Sequence, residues 1–350
     1  MRAIALFPMV VLAAFGLAES ATAAETTLKQ VKLEGVVYAN YAWDLSDGAL
    51  DKNGFDIQRM YLIAQENLAE KVAFRMTMGI YQNTKEAIAD TTGATKYGYY
   101  KGWAVRLKHA YVTFKEVFPR ADVSFGMVDL PWVPFEEKIF QHRFVSTVFM
   151  DTEKKLTSTD LGVTLRGALP QSYGEYHVAV MNGETYAAPE VNKFKDYHAR
   201  VTIVPAPGNA TLKGLRLSAF GNFNDRNTDQ RNTRAVAYAS YEHARFTIAG
   251  GNWWVGDEAA PHAATVRSGG PSVYGLVKFT PKTWAMARWD QFDPNKDKVD
   301  DGWNRTIAGV GVQLADGVKL FLDVQAKRFE KETTANRNTT VAFGHFEIKY

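Results

Sequence analysis

Along most of the chain, apolar and polar residues alternate singly. Val72, Phe74, Met76, Met78 and Ile80 make one face of a segment whose other face holds Ala73, Arg75, Thr77 and Gly79. Trp103, Val105 and Leu107 oppose Arg106 and Lys108, and Leu161, Val163 and Leu165 oppose Asp160, Thr164 and Arg166. Leu320, Leu322, Val324 and Ala326 oppose Asp323, Gln325 and Lys327. A period of two is strand geometry. Such segments run over 31–43, 54–66, 71–82, 102–115, 121–129, 159–168, 174–182, 194–204, 212–223, 233–243, 245–255, 272–280, 283–292, 304–315, 317–328 and 338–350, with no convincing amphipathic helix between them. The expected fold is all-β, a closed antiparallel transmembrane barrel of about 16 strands, an even number as a single-chain bacterial barrel needs.

The connections alternate in length. Short ones are 68–70, 117–120, 243–244, 281–282 and 315–316, with somewhat longer ones around Pro170 and over 205–213. Long ones are 44–53, 83–101, 130–158, 183–193, 224–232, 256–271, 293–303 and 329–337. Membrane barrels carry short turns on one side and long loops on the other. This parity puts both ends of the chain on the short-turn side. A soluble β-sandwich gives no reason for it. A charge facing lipid at mid-membrane costs about 2–4 kcal/mol, so the charged faces are expected to point into a water-filled lumen and not a packed core. In a sandwich the same faces would point outward, and the two ends of the chain decide between the readings.

At the C-terminus Ala342, Gly344, Phe346, Ile348 and Tyr350 share one face, and His345, Glu347 and Lys349 the other. The pattern of Phe346, Ile348 and Tyr350 resembles the closing strand of bacterial outer-membrane barrels, which usually ends on an aromatic residue. It implies the barrel-assembly machinery as a partner. At the N-terminus, Arg2, an apolar stretch from Ala3 to Leu17 and the Ala21-Thr22-Ala23 site read as a secretory signal. The stretch is shorter than the ~20 residues of a spanning helix. The expected organisation is a cleaved signal peptide over 1–23 and one barrel domain over 24–350, placed in the outer membrane against its lipid.

Composition adds exclusions. The absence of cysteine removes disulfide scaffolds and thiolate metal sites. A net charge of +3 with no basic run argues against nucleic acid. No cofactor or metal is expected. Tyr61, Tyr81, Tyr97, Tyr99, Tyr100, Tyr111, Trp43, Trp103, Trp253, Trp254 and Trp303 lie near strand ends, as interfacial girdles or as core aromatics.

Several motifs in order resemble the phosphate-selective porin O and P-like family. They are Phe55-Asp56-Ile57-Gln58-Arg59 with Val72-Ala73-Phe74-Arg75, and Leu107-Lys108-His109-Ala110-Tyr111-Val112. Val123-Ser124-Phe125-Gly126-Met127 with Pro131 follows, then Asp160-Leu161-Gly162-Val163 with Arg166-Gly167, Met181-Asn182-Gly183 and Ala287-Arg288-Trp289-Asp290. The resemblance implies a sixteen-stranded, usually trimeric porin with an inward-folded third external loop, passing small hydrophilic solutes or anions. It departs from the family in the first hairpin, which is often arginine-rich and here has Asp56, Gln58 and Tyr61 around a single Arg59, at Asp129, a basic or polar position, and at Thr159, where an arginine is common, so strict phosphate selectivity is not implied.

The third loop, 130–158, is long enough to be functional. Pro131, Trp132, Pro134, Phe135 and Phe140 give it apolar surface to fold inward; the alternative is a loop on the outer surface. Glu136, Glu137, Lys138, His142 and Arg143 are its candidate constriction residues. Candidate pore-lining residues are Arg75, Arg106, Lys108, Asp160, Arg166, Arg200, Arg216 and Arg288, each on the polar face of its strand. Arg75 and Arg106, on neighbouring strands, are expected to share one neighbourhood of the wall. Their positive excess implies a mild anion preference, unless the arginines pair with acids to stiffen the wall. No catalytic constellation stands out, neither H-E-x-x-H nor G-x-S-x-G. The expected function is a non-enzymatic diffusion channel, with a barrel hydrolase or a plugged structural barrel as alternatives.

Overall fold

The computed structural model describes residues 31–48, 53–83, 102–227 and 230–350. Among them, sixteen strands form one closed antiparallel barrel in which each strand pairs with its neighbours in sequence and β1 pairs with β16. The strands are β1 (Lys32–Asp44), β2 (Asn53–Ala69), β3 (Val72–Asn83), β4 (Gly102–Phe118), β5 (Ala121–Asp129), β6 (Thr159–Ala168), β7 (Gly174–Met181) and β8 (Asp196–Ile203). They continue as β9 (Leu215–Asn227), β10 (Gln230–Glu242), β11 (Phe246–Asp257), β12 (Val266–Lys278), β13 (Thr283–Phe292), β14 (Trp303–Ala315), β15 (Val318–Phe329) and β16 (Thr339–Lys349). Closure removes every free strand edge, which is what lets a sheet cross lipid.

The period-two faces set the orientation of each strand. Trp103 and Val105 on β4 are 54% and 65% exposed on the outside, whereas His109 on the inner face is buried. On β15, Leu322 and Val324 are exposed outside while Phe321 and Asp323 are buried inside. On β16, Phe346, Ile348 and Tyr350 face outward, and His345 and Glu347 inward, where Glu347 pairs with Lys319 at 2.8 Å. The seam is finished by two backbone bonds: Gly35 N–H donates to the Tyr350 carbonyl at 2.9 Å, and Tyr350 N–H to the Gly35 carbonyl at 3.1 Å. The Tyr350 ring lies directly over Gly35, in the space a side chain would take.

Three expectations need correction. The strand expected over 272–280 starts at Val266, because the Gly269-Gly270-Pro271 turn signal lies within β12. Pro271 falls in a gap of the ladder to β13, between the Gly269–Asp293 bridge and the Ser272–Asp290 pair, where a missing N–H is tolerated. The long connection expected over 224–232 is instead the tip of the β9–β10 hairpin, with Asn224 paired to Asn232 and Asp225 to Arg231. Residues polar on both faces suit a hairpin in water as well as a loop. The signal peptide expected over 1–23 and Tyr97, Tyr99 and Tyr100 lie outside the described residues.

The third correction concerns the interior, which is not uniformly wet. Tyr38, Phe220, Val236, Tyr238, Trp253, Tyr274, Trp284, Met286, Phe292, Trp303, Ile307 and Phe321 are buried in one apolar cluster. Trp253 and Trp303 therefore belong to this cluster and not to an interfacial girdle, unlike the exposed Trp43, Trp103 and Trp254. Strands such as β13 are apolar on both faces, with Trp284 and Met286 buried beside Ala285 and Ala287, and alternation of polarity is silent there. The packing is close: a side chain at Gly311 would meet the Trp284 ring, which itself stacks on Phe321 with ring centroids 6.4 Å apart. Gly311→Val is expected to displace Trp284 and destabilise the barrel by roughly 1–3 kcal/mol, read as a lower unfolding temperature in detergent.

Candidate functional site

What packs on these inner aromatics is the third external loop. It carries two helices, α1 (Val133–Phe140) and α2 (Phe149–Thr152). Pro134 sits in the first turn of α1, where its missing N–H costs nothing. Trp132, before α1, packs on Phe220 and Tyr238 with centroids 5.6 and 5.5 Å apart. Phe140 meets Tyr274, His142 meets Trp284 and Phe321, Phe144 meets Tyr38 and Phe321, and Phe149 meets Trp253 and Phe292. These partners come from β1, β9, β11, β12, β13 and β15 besides β10. A single loop can bury itself against so many strands of a closed barrel only from within.

Polar clamps from the wall complete the seat. Arg200 Nε donates to the Pro131 carbonyl at 2.8 Å, and its guanidinium lies over Phe135 at 3.9 Å. Arg288 donates to the Thr147 carbonyl at 2.6 Å while its Nε bonds to Asp290 at 2.8 Å. Arg234 Nε donates to the Lys155 carbonyl at 2.8 Å, and the Lys155 ammonium pairs with Asp257 at 2.8 Å. Loop carbonyls that have lost water are thus satisfied by charged donors, which make the stronger hydrogen bonds.

The docked face of the loop holds ionisable groups under strain. Trp132 Nε1 donates to Glu136 Oε2 at 2.8 Å, and burial, opposed by Arg288, pushes the Glu136 carboxyl up to about 8. Burial lowers His142 to about 4 and raises Glu153 to about 7. Glu136 and His142 were expected at the constriction. They lie instead on the packed side, because the apolar stripe that docks the loop runs through their neighbours Trp132, Phe140 and Phe144. Glu137 and Arg143 pair with each other at 2.6 Å, Arg143 also reaches Asp151 at 3.4 Å, and Lys138 is exposed.

The expected pore-lining residues separate into groups. Arg200 and Arg288 are buried as loop clamps and do not line open space. Asp160 is buried too: it accepts the N–H of Leu161 and of Gly183, both at 2.7 Å, and so orders the root of the fourth loop. Arg166 and Arg216, near the short-turn end, pair with Glu175 at 2.7 Å and Glu242 at 2.6 Å. Arg75 bonds to Thr77 at 3.3 Å. Arg75 and Arg106 do not share one neighbourhood. Arg106 pairs in register with Gly79, four residues up β3 from Arg75, or roughly 14 Å at ~3.4 Å per residue.

Arg106 and Lys108 belong to a cleft of about 180 Å³ lined by Gln58, Arg59, Tyr61, Tyr81 and Tyr186. A register shift in the β3–β4 pair lets Arg106, Lys108 and His109 all turn inward. Arg106 donates to the Tyr81 hydroxyl at 2.9 Å, Arg59 donates to that of Tyr61 at 3.3 Å, and the Lys108 ammonium lies 4.9 Å from the Tyr61 ring centre. Among the described residues, none of Arg59, Arg75, Arg106 and Lys108 has a carboxylate within 4 Å, whereas Arg166, Arg200, Arg216, Arg234, Arg288 and Arg305 each have one. Sequence reading missed Arg59, Tyr61, Tyr81 and Tyr186 as a group. The i, i+2 spacing of Arg59 and Tyr61 was the available signal; Tyr186 arrives from a loop and had none.

The arrangement is one loop docked against part of the inner wall, with cations on β2–β4 that have no carboxylate within 4 Å among the described residues. No family model matches the chain, and no curated protein matches it. Solved structures do. The anion-selective porin from Comamonas acidovorans aligns with a TM-score of 0.64 at 12% identity, over 92% of this chain and 99% of that one. The outer-membrane channel DcaP of Acinetobacter baumannii aligns at 0.61 and 12%, over 92% and 97%. OmpT, an outer-membrane protein of Vibrio cholerae solved in a trimer form, aligns at 0.57 and 9%, over 92% and 99%. The fold is that of the outer-membrane porins.

Proposed function

We propose that this protein is an outer-membrane porin through which small hydrophilic solutes diffuse, with a weak preference for anions, and that it acts as a channel and not as a hydrolase. The observation that carries this reading is the set of cations on the β2–β4 wall, Arg59, Arg75, Arg106 and Lys108, that have no carboxylate within 4 Å among the described residues. Fixed charge in a narrow, low-dielectric passage raises the local concentration of counter-ions. The anion selectivity of the Comamonas porin supports the reading by likeness of fold. Exposed apolar residues on the outer face suit membrane lipid, and the C-terminal face of Phe346, Ile348 and Tyr350 suits recognition by the barrel-assembly machinery. A homotrimer is part of the proposal, supported by the resemblance to the phosphate-selective porins and by the trimer form of OmpT.

Tight phosphate selectivity is not part of it. Asp56 supplies a negative charge and Gln58 none in a hairpin that is often arginine-rich in that family, and Thr159 is fully buried against His109, with 3.2 Å between its Oγ1 and the ring Nε2. The test is the purified protein in a planar bilayer under a tenfold potassium chloride gradient. Stepwise conductance with a reversal potential on the chloride side is expected. A barrel that inserts and gives no steps would be plugged, and a reversal potential on the potassium side would refute the anion preference.

A further inference from the structure

The cleft on the β2–β4 wall differs from a plain patch of positive charge in how its cations are held. Arg59 and Arg106 are each oriented by a phenol, at 3.3 and 2.9 Å, and Lys108 by the face of Tyr61. The Arg106 guanidinium lies over two rings, with centroids of Tyr81 and Tyr186 at 4.4 and 5.7 Å. A carboxylate partner would orient a cation and neutralise it; a phenol or a ring face orients it and leaves most of its charge available. The rest of the inner wall takes the first course at six arginines. Among the described residues, this stretch combines oriented donors, residual charge and three tyrosine rings.

Size and shape narrow what fits. A cleft of about 180 Å³ has room for roughly six waters at about 30 Å³ each. A chloride or a single phosphate leaves much of that space to water and makes no use of the ring surfaces. A solute of about nine or ten heavy atoms can occupy it and reach the ring surfaces. Two guanidinium forks match the planar geometry of a carboxylate, and tyrosine rings favour another flat ring over an aliphatic chain. Deepening the channel reading, and resting on it, we propose that this cleft is a saturable binding station for small aryl carboxylates of about the size of benzoate. The carboxylate takes the forks of Arg59 and Arg106, with Lys108 beside it. The ring lies among Tyr61, Tyr81 and Tyr186. Tyr186 comes from the fourth external loop, so that loop contributes to solute choice as well as the third.

The experiment is chloride current through the full-length protein in a planar bilayer, titrated separately with potassium benzoate, acetate and phosphate. Benzoate is expected to reduce the current in a saturable way, with a half-effect concentration about tenfold below that of acetate and below that of phosphate. In Tyr186→Leu the benzoate-to-acetate ratio is expected to fall towards one. Equal half-effect concentrations for benzoate and acetate would show that charge alone acts and would overturn the proposal. Phosphate acting at lower concentration than benzoate would overturn it in favour of a tetrahedral oxyanion site. Stepwise chloride current in the unmodified protein leaves the channel reading standing in either case, whereas its absence removes that reading itself.

Discussion

Replacing Arg59, Arg106 and Lys108 together by glutamate is expected to turn the channel from weakly anion-preferring to cation-preferring. The three side chains line one cleft and have no carboxylate within 4 Å among the described residues. Their field is therefore not cancelled locally. Reversing it changes the sign of the fixed charge in that cleft. The chloride-to-potassium permeability ratio should fall on the order of tenfold, since fixed charge in a low-dielectric cleft changes local ion concentrations by at least that much. The reversal potential in a salt gradient reads this directly. Exchanging the two partners within each of the Arg166–Glu175, Arg216–Glu242 and Arg305–Asp290 pairs serves as the comparison. Each exchange leaves the net charge of its pair unchanged, so the reversal potential should move much less, provided the folded barrel is recovered. Equal shifts from both sets would mean that the cleft is not the selective stretch.

Trp132→Ala is expected to release the third loop while leaving the barrel closed. Trp132 is buried against Phe220, Tyr238 and Phe135, and its indole N–H holds Glu136. Truncating a buried tryptophan costs roughly 3–5 kcal/mol, and here the loss falls on docking, because the barrel's ladder does not run through the loop. Conductance should rise and become noisier. Trypsin should cut at Arg143 or Lys155, which are half-buried and ion-paired in the docked loop, with the barrel fragments still associated. A protected loop with unchanged conductance would show that Trp132 does not hold it.

The same seat makes docking depend on pH, and the direction follows from Glu136, Glu153 and His142. Glu136 and Glu153 are raised from an ordinary 4.5 to about 8 and about 7. Below 4.5 both are protonated whether the loop is docked or free, and docking keeps their full contribution. As pH climbs, the free loop gives up its protons while the docked loop retains them, so docking weakens until the docked values are passed. His142 is lowered from 6.5 to about 4 and acts the other way, weakening docking as pH falls from 6.5 to 4. Above pH 6.5 only the glutamates act. Raising the pH from 6.5 to 9 should increase current noise in the unmodified protein, and Glu136→Gln with Glu153→Gln should abolish that increase.

The strands, their faces and the parity of their connections were legible from residue order alone. Single alternation is a local property: Trp103 and Val105 against Arg106 and Lys108 define two faces whatever lies elsewhere in the chain. The cost of a charge in lipid then decides which face points outward. The C-terminal face of Phe346, Ile348 and Tyr350 was readable for the same reason. Length and composition marked the third loop as unusual, but not what it would touch.

Tertiary structure alone decided what fills the lumen and which charges remain free in it. Arg200 and Arg166 look alike in sequence, each on the polar face of its strand. Arg200 bonds to a carbonyl 69 residues away in the docked loop, while Arg166 pairs across a hairpin only nine residues long. Arg288 reaches a carbonyl 141 residues away. Whether an inner arginine is neutralised, clamps the loop or faces water depends on which distant group closure of the barrel brings beside it. The apolar inner wall was hidden for a related reason: where both faces of a strand are apolar, as at Trp284 to Ala287, alternation of polarity no longer separates lipid from lumen. Only the docked loop, covering one wall and leaving Arg59, Arg106 and Lys108 on the other, distinguishes them.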